Sequence, residues 1–297
     1  MAKQQREFAR PHKGNLHGMY KFCSYTVVPF IEAIANVRWD GVKNFPQDGP
    51  FIVAPTHVSD LDPLSMGYFV GINGYELRFL AKDNLFKIPV VGSFFRWWGM
   101  IPVARGSSEA TDALVHAREA LAKGAVVGIY FEGTLTRDPA LWPMRGKTGL
   151  ARLALDTRVP VIPVVQWGVQ DVKERYGSFK IWGKRPTMYF QVLPPLDYSD
   201  IHGDSSNREG VRELTSRLQK VLEEGSAQLR GEVAPQKPWD MKDHDGPDKA
   251  LLKPFARWRR SLARAAKVSD ILPADPSLTR DFVPTPGDRA KGAQTTL

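Results

Sequence analysis

Short runs of apolar, β-branched residues punctuate the chain at lengths that fit strands. They fall at 51–55 (FIVAP), 77–81 (LRFLA), 100–104 (MIPVA), 125–130 (AVVGIY), 161–166 (VIPVVQ) and 187–193 (TMYFQVL). Between several of them the period lengthens to that of an amphipathic helix. In "SSEATDALVHAREALAKG" (107–124) serines open the segment and Glu109 and Asp112 fall in the first turn. Ala113, Leu114, Ala117 and Leu121 share a face there, and Gly124 ends it. In "NREGVRELTSRLQKVLEEG" (207–225) Val211, Leu214, Leu218, Val221 and Leu222 do the same. Nearly continuous apolar strands alternating with helices predict an α/β fold whose mostly parallel central sheet is covered by helices on both faces.

The ends of the chain read differently. The segment "MYKFCSYTVVPFIEAIANV" (19–37) is apolar but carries Lys21, Pro29 and Glu32, short of the roughly 20 uninterrupted apolar residues of a spanning helix. It predicts a helix that lies in a membrane interface or packs on the core. After about residue 234, Pro, Asp, Lys and Gly dominate. The expected division is an N-terminal helical, membrane-associated segment (1–44), the main domain (45–234), and a C-terminal appendage (235–297) with one basic amphipathic helix and an irregular end.

Charge sharpens this division. The net charge is +9, and "KALLKPFARWRRSLARAAK" (249–267) contributes Lys249, Lys253, Arg257, Arg259, Arg260, Arg264 and Lys267 without one acid. Leu251, Leu252, Phe255, Trp258, Leu262 and Ala266 recur there at three- and four-residue steps. Such a helix suits an anionic membrane surface, where each basic residue adds about 1 kcal/mol. A solvated basic tail is the plainer reading. No nucleic-acid motif accompanies the charge, so no nucleic-acid partner is expected. A single cysteine, Cys23, and the lack of zinc-like Cys/His spacing point to a reducing compartment and no metal. The N-terminus lacks the apolar stretch of a signal peptide. Together these features predict a peripheral protein at the cytoplasmic face of the cell membrane.

The candidate chemistry begins at "APTHVSDLDP" (54–63), where His57, just past a buried strand, stands five residues before Asp62. An imidazole acting as a base near pH 7 needs its second nitrogen held by an acceptor. Asp62, in the first turn of a following helix, can supply it at the C-terminal edge of the sheet, where open α/β folds place ligands. The competing reading is a surface turn in which Asp60 or Asp62 caps a helix. "DLD" (60–62) also matches the paired carboxylate of metal-dependent glycosyltransferases, but no nucleotide signature joins it. No G-x-S-x-G elbow is present. "GKT" (146–148) lacks the first glycine of a P-loop, with Leu141 in its place.

Further blocks accompany the pair. "IYFEGTLTRD" (129–138) ends a strand with Glu132, Gly133 and Thr134, where glycine permits close backbone approach and amides can cradle an anion. "FLAKDNLFKIPVVGSFFRWWGMIPVARG" (79–106) holds Lys82 and Arg105, and "TRVPVIPVVQWG" (157–168) is a strand broken by Pro160 and Pro163. In this order the blocks resemble the glycerolipid acyltransferase family, which includes 1-acylglycerol-3-phosphate acyltransferases. The family's H-x-x-x-x-D matches His57 and Asp62, and its second block matches "GMIPVARG" with Arg105. Its E-G-T matches Glu132, Gly133 and Thr134, and V-P-[IV]-x-P-V matches Val159 to Val164. "AK-x-x-L-F-x-x-P" and "GKTGLARLAL" look like family sequence too. The resemblance spans about residues 45–200.

The resemblance implies acyl transfer from acyl-CoA or acyl-carrier protein, as co-substrate and not cofactor, to a hydroxyl of lysophosphatidate or glycerol 3-phosphate in phospholipid synthesis. It implies His57 as general base and Asp62 as its orienting acid. Lys82, Arg105 and Arg137 are the cations for the acceptor phosphate, and Glu132 accepts from a glycerol hydroxyl or organises the loop beside Gly133 and Thr134. Two positions depart from the family. Phe131 stands where proline is usual, and Leu135 stands where an arginine usually holds the acceptor phosphate. An acceptor that is a glycolipid or other lipid, and a non-catalytic lipid-binding protein on the same fold, are the alternatives.

Overall fold

The structure, a computed structural model, describes residues 18–103, 109–175, 177–180 and 185–243. Arg105 and the basic 249–267 segment lie outside the described residues. Seven strands form one sheet: β1 (Asn36–Asp40), β2 (Phe51–Pro55), β3 (Leu77–Lys82), β4 (Ile101–Val103), β5 (Val126–Gly128), β6 (Val161–Trp167) and β7 (Thr187–Val192). Their order is β1-β7-β6-β2-β5-β3-β4. All neighbouring pairs are parallel except β6 with β7.

The helices are α1 (Gly18–Ile34), α2 (Asp62–Ile72), α3 (Asp83–Phe86), α4 (Val91–Trp97), α5 (Glu109–Ala122), α6 (Gly149–Thr157), α7 (Val169–Val172) and α8 (Arg208–Arg230). They lie on both faces, and β2 shows how. Its Ile52 and Ala54 join Leu121, Leu150, Leu153 and Leu218 from α5, α6 and α8 in one core. Phe51 and Val53, pointing the other way by the two-residue alternation of a strand, join Ile31, Met66 and Phe69 from α1 and α2 in the second. Every residue of β2 and β6 is buried, as expected for central strands of a sheet covered twice.

Two differences from the sequence reading have physical causes. β1 is an added strand at the sheet edge, and its partly exposed alternation, with Arg38 and Asp40, carries no apolar run to flag it. α8 does not stop at Gly225 but runs on to Arg230. A Cβ at Gly225 would come within 2.6 Å of Leu193 Cδ1, so this glycine makes room for packing and is not a stop. The stop is Gly231, at φ 67°.

α1 buries Ile31 and Cys23 but leaves Phe22, Tyr25 and Phe30 exposed. Among the described residues no helix is long and apolar enough to cross a membrane.

Candidate active site

β2 and β5 are parallel neighbours, so the loops after their C-terminal ends emerge side by side. The first carries His57 and the second carries 129–134. After β2 the chain turns through Val58 and Ser59 into α2, whose first residue is Asp62, with Pro63 beside it. Proline suits this first turn because its missing N–H has no helical partner there.

Asp62 does not cap its own helix. Its Oδ2 accepts from the backbone N–H groups of Val58, at 2.5 Å, and Ser59, at 2.8 Å, and lies 2.9 Å from His57 Nδ1. A carboxylate only accepts, so the hydrogen sits on Nδ1 and leaves the lone pair on Nε2. The carboxylate is fully buried while the imidazole keeps 14% of its surface exposed. Burial raises the Asp62 pKa, and the His57 contact and the two amides oppose that rise.

Asp60 behaves differently. It is 44% exposed and pairs with Lys173 Nζ at 3.1 Å. The two acids of "DLD" thus serve separate partners, and among the described residues no three His, Cys, Asp or Glu side chains gather as for a metal ion.

The imidazole is held from a second side by Tyr130, whose ring stacks on it with centroids 3.9 Å apart. Phe79 stacks on Tyr130 in turn, at 5.2 Å. Gly128 permits this arrangement, since a Cβ there would stand 2.6 Å from the Phe79 ring. Among the described residues the buried Tyr130 hydroxyl has no hydrogen-bond partner, and burial beside the Asp62 charge drives its pKa well upward, so it stays protonated.

The loop after β5 closes the site. Gly133 adopts φ 70°, a left-handed conformation that glycine enters without strain, and its N–H donates to Tyr130 O at 2.9 Å. Thr134 follows, half-buried. Glu132 is buried, and its Oε2 accepts from Met144 N–H at 2.9 Å. Burial pushes its pKa well up, while the amides of Met144 and His57 draw it down. Thr136 N–H donates to His57 O at 2.8 Å, tying the two loops together. Arg175, fully buried, donates to the carbonyls of Thr136 and Asp138.

Of the residues singled out in the sequence, His57, Asp62, Glu132, Gly133, Thr134 and Arg137 gather at this edge. Arg137 is half-buried, and no carboxylate pairs with it among the described residues. Lys82 is the last residue of β3, its side chain outside those described. Sequence reasoning missed Tyr130, which reads as strand, and Arg175 and Lys147, which reach the site only through space. Lys147 N–H donates to Phe131 O at 3.0 Å. Leu135, the position of the missing arginine, is buried at 6% exposure.

A family model described as acyltransferase matches residues 36–167. The 1-acyl-sn-glycerol-3-phosphate acyltransferase of Bacillus subtilis is 27% identical over 206 residues, covering 69% of this chain and 96% of that protein. Residues 36–167 are an O-acyltransferase domain of the glycerolipid type, and both its H-x-x-x-x-D block and its E-G-T block line the edge just described. The chloroplastic 1-acyl-sn-glycerol-3-phosphate acyltransferase of Brassica napus is 31% identical over 149 residues, half of this acyltransferase and 40% of the plant protein. The crystal structure of the 1-acyl-sn-glycerophosphate acyltransferase PlsC from Thermotoga maritima superposes with a TM-score of 0.55 at 22% identity, covering 79% of this chain and 85% of that one. That likeness is one of fold.

Proposed function

We propose that the protein moves a fatty acyl group from an acyl thioester, acyl-CoA or acyl-carrier protein, to a hydroxyl of lysophosphatidate or glycerol 3-phosphate, forming phosphatidic acid or its precursor. The observation that carries this reading is the 2.9 Å contact between His57 Nδ1 and Asp62 Oδ2 beneath a partly exposed imidazole. The relatives' names support the acceptor class.

In the proposed mechanism the acceptor hydroxyl gives its proton to His57 Nε2 as its oxygen adds to the thioester carbonyl carbon. Asp62 stabilises the imidazolium that forms. Collapse of the tetrahedral intermediate re-forms the carbonyl, breaks the C–S bond, and releases the thiol with the proton returned from Nε2. The products are an ester and a free thiol, so neither an acyl-enzyme nor a cofactor enters the balance. Arg137, with Lys82 and Arg105, provides charge for the acceptor phosphate. Glu132 organises the Gly133–Thr134 turn through Met144.

The membrane part of the proposal rests on exposed aromatic surface. Tyr25 on α1 and Trp97 on α4 are 74% and 53% exposed, and Phe22 links the two helices through a ring contact with Trp97 at 5.4 Å. Ile88 and Val90, just before α4, are exposed as well. A domain that takes acceptors from a bilayer needs such a face, and aromatic residues suit the headgroup level. We place the protein at the cytoplasmic surface of the cell membrane, on anionic lipids.

Thiol release from palmitoyl-CoA by the purified protein tests the reading, with glycerol 3-phosphate, lysophosphatidate and a glycolipid offered in turn. Release with either phosphorylated acceptor is expected. Release with the glycolipid alone would favour the second reading, to which the buried apolar Leu135 lends support. No release with any acceptor would point to a lipid-binding protein.

A further inference from the structure

If the acceptor carries a phosphate, the site needs a cation near the Gly133 turn, and Leu135 provides none. The segment 144–147 runs beside that turn. Met144 N–H reaches Glu132 Oε2 and Lys147 N–H reaches Phe131 O, at 2.9 and 3.0 Å. Gly146 makes the approach possible, because a Cβ there would fall 1.7 Å from the Phe131 ring. The same residue is held from behind, where Gly146 N–H donates to Gln219 Oε1 on α8 at 2.8 Å. Phe131, the departure from the family's usual proline, is the ring this backbone packs against.

The consequence is the position of the Lys147 side chain. A Cβ at Gly133 would stand 2.9 Å from Lys147 Cδ, 3.1 Å from Cε and 3.2 Å from Nζ, so the lysine stem lies across the bare face of the glycine. Arg145, two residues earlier, is engaged with Asp240 at 2.8 Å, whereas no carboxylate pairs with Lys147 among the described residues. The acids nearby do not compete for it. Asp62 is buried beneath His57, and Glu132 is buried against the Met144 amide.

We propose that Lys147 is an acceptor-binding residue whose ammonium takes the phosphate monoester of the acceptor over the Gly133 turn, replacing the cation that Leu135 does not supply. This rests on the acyl-transfer reading of the site. A lysine serves as a compact point charge with three donors and needs no planar partner geometry. Its reach over the turn whose Tyr130 stacks on His57 brings the bound hydroxyl toward the base. Gly133 then has two duties: a left-handed turn, and room for the lysine stem.

The test uses Lys147→Met, which keeps an unbranched stem on Gly133 without the charge, and Lys147→Arg. In the full chain, Lys147→Met is expected to raise the KM for lysophosphatidate about 10- to 100-fold, the range for one charge-assisted hydrogen bond, and to leave the KM for palmitoyl-CoA unchanged. Lys147→Arg should recover most of the loss. Calorimetric titration with glycerol 3-phosphate is expected to show the same weakening of Kd. An unchanged KM and Kd in Lys147→Met, or a KM that rises equally for both substrates, overturns the proposal. Failure of the unaltered protein to acylate lysophosphatidate would count against the acyl-transfer reading alone. The titration still decides the role of Lys147, and absence of glycerol 3-phosphate binding by the unaltered protein overturns it.

Discussion

Asp60 and Asp62 stand two residues apart, and the fold treats them in opposite ways. Asp60 reaches out to Lys173 with nearly half its surface in water. Asp62 turns inward, loses all contact with water, and gathers two amides and an imidazole on one oxygen. Both are ion-pair geometries at about 3 Å by distance, yet the screening differs. An exposed pair contributes about 0–1 kcal/mol and orients little. A buried carboxylate has no alternative partners, so it can fix the ring that contacts it. The lesson is that orientation comes from the second side of each pair: His57 is also pressed by Tyr130, whereas Asp60, the exposed member of its pair, is one of three oxygens that share the Lys173 ammonium with the carbonyls of Glu174 and Gly177.

The comparison can be broken at several points. His57→Ala removes the proposed base, and turnover should fall by at least ~10²-fold in the thiol-release assay. Unchanged turnover would end the mechanism. Asp62→Asn keeps the size of the side chain but loses the acceptor-only carboxylate that sets the tautomer. A fall in kcat of about 10- to 100-fold is expected, with KM nearly constant.

Glu132, a third acid at this edge, sharpens the contrast through pH. Its folded pKa is raised above the usual 4.5, so the folded state holds a proton that the unfolded state has released. Stability should therefore fall as pH rises from about 4.5 through the higher folded value. In Glu132→Gln, urea unfolding at pH 5 and pH 8 should show a smaller difference than in the unaltered protein, and an equal difference would refute this assignment. Asp60→Asn is the smallest change: stability should move by less than about 1 kcal/mol in the same unfolding assay, and kcat should not change. A large loss of activity there would erase the distinction between the two acids.

The main elements were legible because their signals are local. β2, β5 and β6 announce themselves as apolar runs, and the His57–Asp62 pairing follows from a strand end, a turn and a helix start within six residues. β1 was hidden by its edge position, where half the side chains face water. The end of α8 was misplaced because a glycine demanded by Leu193 looks in sequence like one demanded by a turn. Tyr130, Arg175 and Lys147 were invisible for a different reason. Each meets the site across a loop or a strand pair, and no periodicity records such meetings. The resemblance named the two blocks at the site, but what holds them together is contact between residues more than seventy positions apart, as between Thr136 N–H and the His57 carbonyl and between the rings of His57 and Tyr130.

The bond from Thr136 N–H to the carbonyl of His57 has a kinetic meaning. A general base on a wandering loop would have to search for its geometry in every catalytic cycle. Here the peptide carrying the imidazole is anchored to the neighbouring loop, and the ring is trapped between a carboxylate and a phenol. The conformational entropy of that arrangement is surrendered once, when the chain folds, and in the proposed mechanism the barrier to each later proton transfer is lower for it.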